Sequence, residues 1–202
     1  EAVKAVNPAI IYASISGFGQ DGPYGTRAGV DQIVQGMSGL MSVTGEPGRG
    51  PMRVGVAISD TSAGMFLGQG ILLALLHRER TGEGQWVHTS LLESMMCKLD
   101  FQGARYTMNG DVPKQAGNHH PTQVAMGAFS SRDGLVNVAA PSQRMWQKFC
   151  DALGADELFE RPEYRSGRDR ASRKEELNAD INAVTANYTT DELVERLNAV
   201  GV

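Results

Sequence analysis

Apolar and polar residues follow one another along the first half of the chain in blocks that predict alternating strands and helices. The run Ile10–Ile15 (IIYASI) is short, apolar and rich in residues that favour strands, which is typical of a buried strand. Met52–Ile58 and Gln85–Leu92 are predicted to be two further strands. The predicted helices are Val30–Met41, Thr61–Arg80 and Glu93–Gly110. Strands that alternate with helices indicate a layered α/β domain with a largely parallel sheet.

The pattern changes after Gly110, where a polar segment precedes a second set of elements. Residues 127–140 predict a β-hairpin, and residues 142–154 predict an amphipathic helix that ends at a glycine. The charged run Tyr164–Leu177 is expected to be a solvated face or a loop. Thr189–Gly201 begins with a capping pattern, a threonine followed by acidic residues, and predicts a last helix.

These elements divide the chain into two predicted domains and a linker. We assign residues 1–110 to part of a large α/β domain, 111–121 to a linker and 122–202 to a small α+β domain. The chain begins without Met and stops directly after a helical pattern. We therefore expect it to be an internal piece of a longer protein.

The charge balance gives no support to nucleic-acid binding. Nineteen Lys and Arg stand against 23 Asp and Glu, and no basic run resembles a phosphate footprint. Cys97 and Cys150 match no metal spacing, and two lone cysteines favour a reducing, cytoplasmic location. The longest apolar stretch, Ala63–Leu76, is interrupted by glycines and is expected to be too short to span a bilayer. We expect neither nucleic acid nor a membrane as a partner.

A single carboxylate, Asp60, lies between the predicted strand Met52–Ile58 and the apolar helix that follows it. Asp is a favoured N-cap residue, so the first interpretation is that Asp60 caps this helix. The second interpretation is chemical, because open α/β sheets bind ligands at the C-terminal ends of their strands. The neighbours of Asp60 are small, and two glycine-containing loops, Ser16–Gly29 and Ala116–Pro121, could fold over a ligand bound there.

Other reactive side chains form no recognisable motif. His119 and His120 are adjacent and have no further spaced ligands, so we expect no metal site. The loop after the first strand has no complete G-x-G-x-x-G, and the chain has no G-x-S-x-G. His77 and His88 are interpreted as structural.

Three blocks of the sequence, residues 7–47, 55–95 and 117–154, resemble the family III coenzyme A transferases, the relatives of formyl-CoA transferase and carnitine CoA-transferase. The resemblance covers essentially the whole chain, and its first two blocks are specific. It implies a large domain with a Rossmann-like core, a smaller domain, and an interlocked homodimer. It also implies acyl-CoA and a small carboxylic acid as substrates, with no tightly bound cofactor.

The resemblance implies roles for particular residues. The catalytic aspartate of the family corresponds to Asp60, and part of its CoA-binding wall corresponds to Ser16, Gly17, Phe18 and Gly19. Formyl-CoA transferases close a glycine-rich loop over the active site, and the matching positions here are Gly117, Asn118, His119 and His120. Only Gly117 keeps the glycine pattern, which argues against formate and oxalate as the substrate pair.

Two alternatives stay open beside a transferase. The α-methylacyl-CoA racemases share the fold and the aspartate, but they pair it with a histidine where this chain has Val30. Racemisation needs acid/base groups on both faces of the α-carbon, so Val30 favours a transferase that works through an aspartyl mixed anhydride and an aspartyl-CoA thioester. An acyl-CoA racemase or epimerase and a non-catalytic CoA-binding module remain the alternatives.

Overall fold

A computed structural model of the protein describes residues 2–202, and the chain forms two compact units. Unit 1 is Glu1–Gln115 and unit 2 is Ala116–Val202. Both units contain helices and strands, so the fold is mixed α/β. The division after Gln115 falls inside the stretch predicted to be a linker, and the domain boundaries at residues 110 and 121 stay a prediction.

Unit 1 is built around one long helix and a pair of parallel strands. Its elements are α1 (Ala2–Val6), β1 (Tyr12–Ser16), α2 (Asp31–Met37), α3 (Leu40–Val43), α4 (Ile58–Thr81), β2 (Trp86–Ser90), α5 (Leu91–Lys98) and α6 (Asp100–Asn109). β1 and β2 pair in parallel, with Tyr12 opposite Trp86 and Ser16 opposite Ser90. α4 packs against both strands and against α2 and α5. A small buried cluster of Val34, Ala63, Leu91 and Met95 joins the three helices.

The long helix ends as its sequence predicts. Gly82 adopts φ 77°, and its N–H donates to the carbonyl of Arg78. A left-handed residue after the last turn suits glycine, because a Cβ there is strained. Arg78 and Arg80 lie in the last turn, where cations interact favourably with the helix dipole.

α4 begins earlier than the predicted helix and is longer than the apolar stretch Ala63–Leu76. It spans 24 residues and is apolar enough to cross a bilayer by length and composition alone. The expectation concerned Ala63–Leu76 alone, and the helix that contains this stretch is longer, so the absence of a membrane partner stays a prediction. Core helices of soluble proteins pass the same test, so this property does not establish a membrane span.

The prediction of a strand over Met52–Ile58 was wrong. Residues 51–57 have no regular secondary structure, and Ile58 already begins α4. The physical reason is that the side chain of Gln35 takes the place of a neighbouring strand. Its Oε1 accepts from the Val54 N–H at 2.8 Å, and its Nε2 donates to the Val56 carbonyl at 3.2 Å.

Three other predictions for unit 1 need correction. The first strand runs from Tyr12 to Ser16 and is not buried, because Tyr12 is 52% exposed. The helix predicted over Val30–Met41 divides into α2 and α3 near Gly39, which has φ 89°. The helix predicted over Glu93–Gly110 likewise divides into α5 and α6 at Asp100, which has φ 47°.

Unit 2 packs helices on one antiparallel hairpin. Its elements are β3 (Met126–Ser130), β4 (Leu135–Ala139), α7 (Gln143–Leu153), α8 (Asp156–Glu160), a 3₁₀ turn (Pro162–Tyr164), α9 (Gly167–Ser172), α10 (Lys174–Thr185) and α11 (Thr190–Ala199). The predicted hairpin is confirmed, and so is α7 with its N-cap Ser142 and its left-handed Gly154. Trp146 and Phe149 of α7 are fully buried in the core of this unit.

The charged run Tyr164–Leu177 was expected to be a solvated face or a loop; most of its residues are exposed, as on a solvated face, but the run is helical and not a loop. It forms α9 and the start of α10, and its Arg170 is completely buried. The Arg170 guanidinium donates to Gln143 Oε1 at 2.7 Å and to the Tyr164 carbonyl at 2.9 Å. These oxygens compensate part of the cost of removing the cation from water.

Candidate active site

Asp60 lies in the first turn of α4, at its third residue. The interpretation of Asp60 as the helix N-cap was wrong, because Ala57 occupies that position and offers no side-chain acceptor. Asp60 is exposed, and no side chain or backbone group among residues 2–202 forms a hydrogen bond or an ion pair with its carboxylate. The N-terminal end of a helix carries partial positive charge, which favours an anion at this position.

The cap that Ala57 cannot supply comes from α2. Asp31, which is 8% exposed, accepts from the Ser59 N–H at 3.0 Å and from the Ser59 hydroxyl at 2.8 Å, both on Oδ1. Its other oxygen accepts from Gln35 Nε2 at 2.8 Å and faces Arg53 at 3.6 Å. Burial alone raises the pKa of Asp31, but the hydrogen bonds from Ser59 and Gln35 and the charge of Arg53 outweigh it, so its pKa is lowered.

Sequence reasoning missed Asp31 and Gln35. Both are polar residues four positions apart in an amphipathic helix, a spacing that usually marks a solvated pair. Here they are buried, and their partners lie 19 to 28 residues further along the chain. The available signal was the spacing of the pair, an Asp and a Gln one helical turn apart on the side of α2 that also carries Val34 (VDQIVQGM).

The predicted CoA-binding residues Ser16, Gly17, Phe18 and Gly19 form the turn that leaves β1. The Ser16 hydroxyl accepts from the Gly19 N–H at 3.0 Å, and Gly19 has φ 98°. The Gly17 carbonyl accepts from the N–H of Leu92 in α5 at 3.2 Å. Phe18 packs on the buried cluster that contains Ala63 of α4, so unit 1 brings this turn and the start of α4 to one core.

A close backbone contact closes the loop between Ser16 and Gly29. A Cβ on Gly17 would lie 2.5 Å from Gly29 Cα, and a Cβ on Gly29 would lie 2.6 Å from Gly17 Cα. Further along the loop, Phe18 contacts Tyr24 edge to face at 5.7 Å, and Arg27 lies 4.2 Å from the centre of the Tyr24 ring. The loop is therefore held by packing at its base and along its length.

The other predicted segment, Gly117–His120, belongs to unit 2 and lines a pocket beside the hairpin with Gly127 and Asn137. Gly117 has φ 58°, and Asn118 is exposed. The His119 ring lies 5.1 Å from the ring of Phe129, and His119 forms a β-bridge with Gly127. Asp60 belongs to unit 1, and this segment belongs to unit 2.

His120 is held in a defined orientation. Its Nδ1 accepts from the Gln123 N–H at 3.0 Å and from the Thr122 N–H at 3.2 Å, which places the proton of the neutral ring on Nε2. Burial, followed by the charge of Lys174, lowers the pKa of His120. The lowered pKa favours the neutral form of the ring.

Three further observations bear on the chemistry of the chain. Among residues 2–202, no group of three or more His, Cys, Asp or Glu side chains has the arrangement of a metal site. Val30, where the resemblance would place the histidine of a racemase, is exposed at the N-cap of α2, and a valine carries no acid/base group. Cys97 and Cys150 are both free thiols.

Comparison with known proteins gives the family. A sequence model of CoA-transferase family III matches residues 1–202. The succinate–glutarate CoA-transferase of Agrobacterium fabrum is 36% identical over 194 residues, which are 96% of this chain and 48% of that protein. The succinyl-CoA:glutarate CoA-transferase of Mus musculus is 35% identical over 190 residues, which are 94% of this chain and 44% of that protein.

The solved structures agree with the sequence comparison. The crystal structure of a CAIB/BAIF family protein from Brucella suis matches with a TM-score of 0.82 and 36% identity, and the match covers 100% of this chain and 53% of that one. The chain spans about half the length of the curated relatives that it matches. Because the family model matches residues 1–202, the whole of the sequence, the chain belongs to CoA-transferase family III.

Proposed function

We propose that the protein transfers coenzyme A from an acyl-CoA donor to a carboxylic acid acceptor, with Asp60 as the nucleophile. The observation that carries the proposal is the state of Asp60, which is an exposed carboxylate at a helix N-terminus with no hydrogen bond or ion pair among residues 2–202. A carboxylate nucleophile can activate another carboxylate without ATP. The activities named for the relatives from Agrobacterium fabrum and Mus musculus support the same reaction class.

Over the whole proposed reaction, one thioester is broken and one thioester is formed. A carboxylate oxygen of Asp60 attacks the donor thioester, the carbon–sulfur bond breaks, and CoA leaves as a thiolate while a mixed anhydride forms. The thiolate then attacks the Asp60 carbonyl carbon, which gives an aspartyl-CoA thioester and releases the donor acid. The acceptor carboxylate attacks this thioester, and the same two steps in reverse give the acceptor acyl-CoA and restore Asp60.

The residues that the family resemblance singles out have roles in this scheme. We assign Ser16–Gly19 to the wall that binds CoA, because this turn packs on the same cluster as the first turns of α4. The partial positive charge at the start of α4 favours the oxyanions that develop beside Asp60. We assign Gly117–His120 to the loop that covers the site, where it would keep water from the anhydride.

The relatives suggest the substrates. The name of the Agrobacterium fabrum relative contains succinate and glutarate, and that of the Mus musculus relative contains succinyl-CoA and glutarate. Dicarboxylic acids are therefore the first candidates for the acceptor, and their CoA thioesters for the donor. We further propose that the complete protein is an interlocked homodimer of the cytoplasm, with no tightly bound cofactor and with neither nucleic acid nor membrane as a partner.

A transfer assay tests the proposal. The complete protein, as expressed from its gene, is incubated with succinyl-CoA and a panel of carboxylic acids, and new acyl-CoA is measured by mass spectrometry. We expect transfer by the wild type and none by Asp60→Ala. The matched control is Asp191→Ala, which removes another exposed first-turn carboxylate, at the start of α11, and should keep full activity.

The two alternatives predict different results. Exchange of the α-proton with deuterated solvent in the absence of an acceptor acid would identify a racemase or epimerase. Binding of CoA with neither transfer nor proton exchange would identify a non-catalytic module. Full transfer activity in Asp60→Ala would contradict the assignment of the nucleophile.

A further inference from the structure

Acidic residues at the third position of a helix can complete a capping box, and two helices of this chain show it. In α9, Asp169 accepts from the N–H of the N-cap Ser166 at 3.1 Å. In α11, Glu192 accepts from the N–H of the N-cap Thr189 at 2.8 Å. Each is one half of a capping box, whose other half is the N-cap hydroxyl that accepts from the third residue.

Asp60 occupies the same third position in α4 but makes no such hydrogen bond. The N-cap of α4 is Ala57, which has no hydroxyl to complete a capping box. The Asp31 carboxylate acts instead, since its Oδ1 accepts both the N–H and the hydroxyl of Ser59. This contact joins α2 to the residue directly before Asp60.

Because this contact satisfies the first turn of α4 from outside the helix, we propose that Asp31 is a positioning residue for Asp60. Asp31 fixes the backbone on which Asp60 stands and relieves the Asp60 carboxylate of capping. The inference rests on the proposed function, in which Asp60 must be free to attack a thioester. A carboxylate that already accepts hydrogen bonds from its own helix has fewer lone pairs available and is a weaker nucleophile.

Asp31 is itself held in place, as the proposal requires. Gln35, which is completely buried, donates to Asp31 Oδ2 and also bonds Val54 and Val56 in the segment before α4. Arg53 adds its charge to the same oxygen. One network thus connects α2, the irregular segment 53–57 and the start of α4, and it ends one residue from the proposed nucleophile.

The test compares two substitutions of Asp31 with a matched control in the complete protein. Asp31→Ala removes both acceptor oxygens, whereas Asp31→Asn leaves one oxygen that can still accept from Ser59. The control, Asp133→Ala, removes the same kind of contact elsewhere, because Asp133 accepts from the N–H and the hydroxyl of Thr190 at 2.8 and 2.9 Å. Asp60→Ala is measured in parallel.

We expect Asp31→Ala to lower kcat for CoA transfer by about 10- to 100-fold, the order of loss produced by a misplaced catalytic group. KM and the dissociation constant for acyl-CoA should stay within about twofold of wild type, because the proposed CoA wall does not include Asp31. Asp31→Asn should recover most of the lost kcat, and Asp133→Ala should keep the wild-type kcat.

Three results would overturn the inference. The first is an Asp31→Ala variant with the same kcat as Asp133→Ala. The second is loss of acyl-CoA binding in Asp31→Ala, which would show a general structural role. The third is an Asn variant that binds acyl-CoA normally but is as slow as the Ala variant, which would assign the effect to charge. Activity in Asp60→Ala would instead be a failure of the proposed function.

Discussion

Gly17→Ala tests whether packing at the base of the loop after β1 supports the proposed CoA site. The added Cβ would lie 2.5 Å from Gly29 Cα and 2.8 Å from Gly29 N, about 1 Å closer than a carbon–carbon contact of ~3.5 Å. Both partners are backbone atoms, so no flexible side chain can move aside. Overpacking of this kind costs about 1–3 kcal/mol, and the free energy of unfolding should fall by that amount.

The same substitution should weaken CoA binding, because Gly17 belongs to the turn assigned to the CoA wall. We expect the dissociation constant for CoA, measured by calorimetry, to rise about tenfold, which is about 1.4 kcal/mol. Gly29→Ala should behave alike, since its Cβ would lie 2.6 Å from Gly17 Cα. Stability is measured by urea unfolding of the same preparations.

Gly68→Ala is the matched control for these two variants. Gly68 lies in α4, nothing lies within 4 Å of a Cβ built there, and alanine should stabilise the helix by about 0.5–1 kcal/mol. Unfolding midpoints and dissociation constants that are the same in Gly17→Ala and Gly68→Ala would refute the packing argument. Loss of stability with unchanged CoA binding would refute the role of this turn in the CoA wall.

Three further predictions concern stability and reactivity. Thr189→Ala removes the hydroxyl that accepts from the Glu192 N–H, and urea unfolding should show a loss of about 1 kcal/mol. Burial raises the pKa of Cys150 to about 12, so native protein treated with iodoacetamide at pH 8 should carry the label on the exposed Cys97 and not on Cys150, as read by peptide mass spectrometry. The lowered pKa of Asp31 means that its contribution to stability is present above the unfolded value near 3.9 and is lost as pH falls through the lower folded value. Asp31→Asn should therefore reduce the dependence of unfolding free energy on pH below about 4, and an unchanged dependence would contradict the assignment.

The elements that the sequence predicts best are those whose ends carry a local signal. α4 ends at the left-handed Gly82, and α7 lies between its cap Ser142 and Gly154. The hairpin of unit 2 is also local, since its two strands are joined by a short turn. In each case the residues that determine the boundary lie within a few positions of it, so the pattern contains the information.

The predictions that were wrong depend on distant partners. Val54 and Val56 are spaced as in a strand, but the side chain of Gln35, about 20 residues earlier, forms hydrogen bonds with their backbone groups. α4 therefore begins at Ile58, and Asp60 is its third residue and not its cap. Arg170 is buried and donates hydrogen bonds to Gln143 Oε1 and to the Tyr164 carbonyl, and the charged sequence around it does not indicate these contacts.

In the candidate site, too, the residue that was found has a local signal, and the residue that was missed contacts a distant part of the chain. Asp60 was identified from its neighbours and from the resemblance to a family, and the family is confirmed. Its use as a nucleophile stays a prediction. Asp31, which caps the first turn of α4, lies 28 residues from Ser59 in sequence, and no local pattern indicates that contact.

Trapping of the aspartyl intermediate tests the central claim most directly. The complete protein is incubated with succinyl-CoA and other acyl-CoAs and quenched with hydroxylamine, and the peptide that contains Asp60 is analysed by mass spectrometry. Since hydroxylamine converts an anhydride or a thioester of aspartate to a hydroxamate, the account predicts a hydroxamate at Asp60 with the true donor and none in Asp60→Ala. A protein that catalyses CoA transfer while the Asp60 peptide stays unmodified with every donor would contradict it.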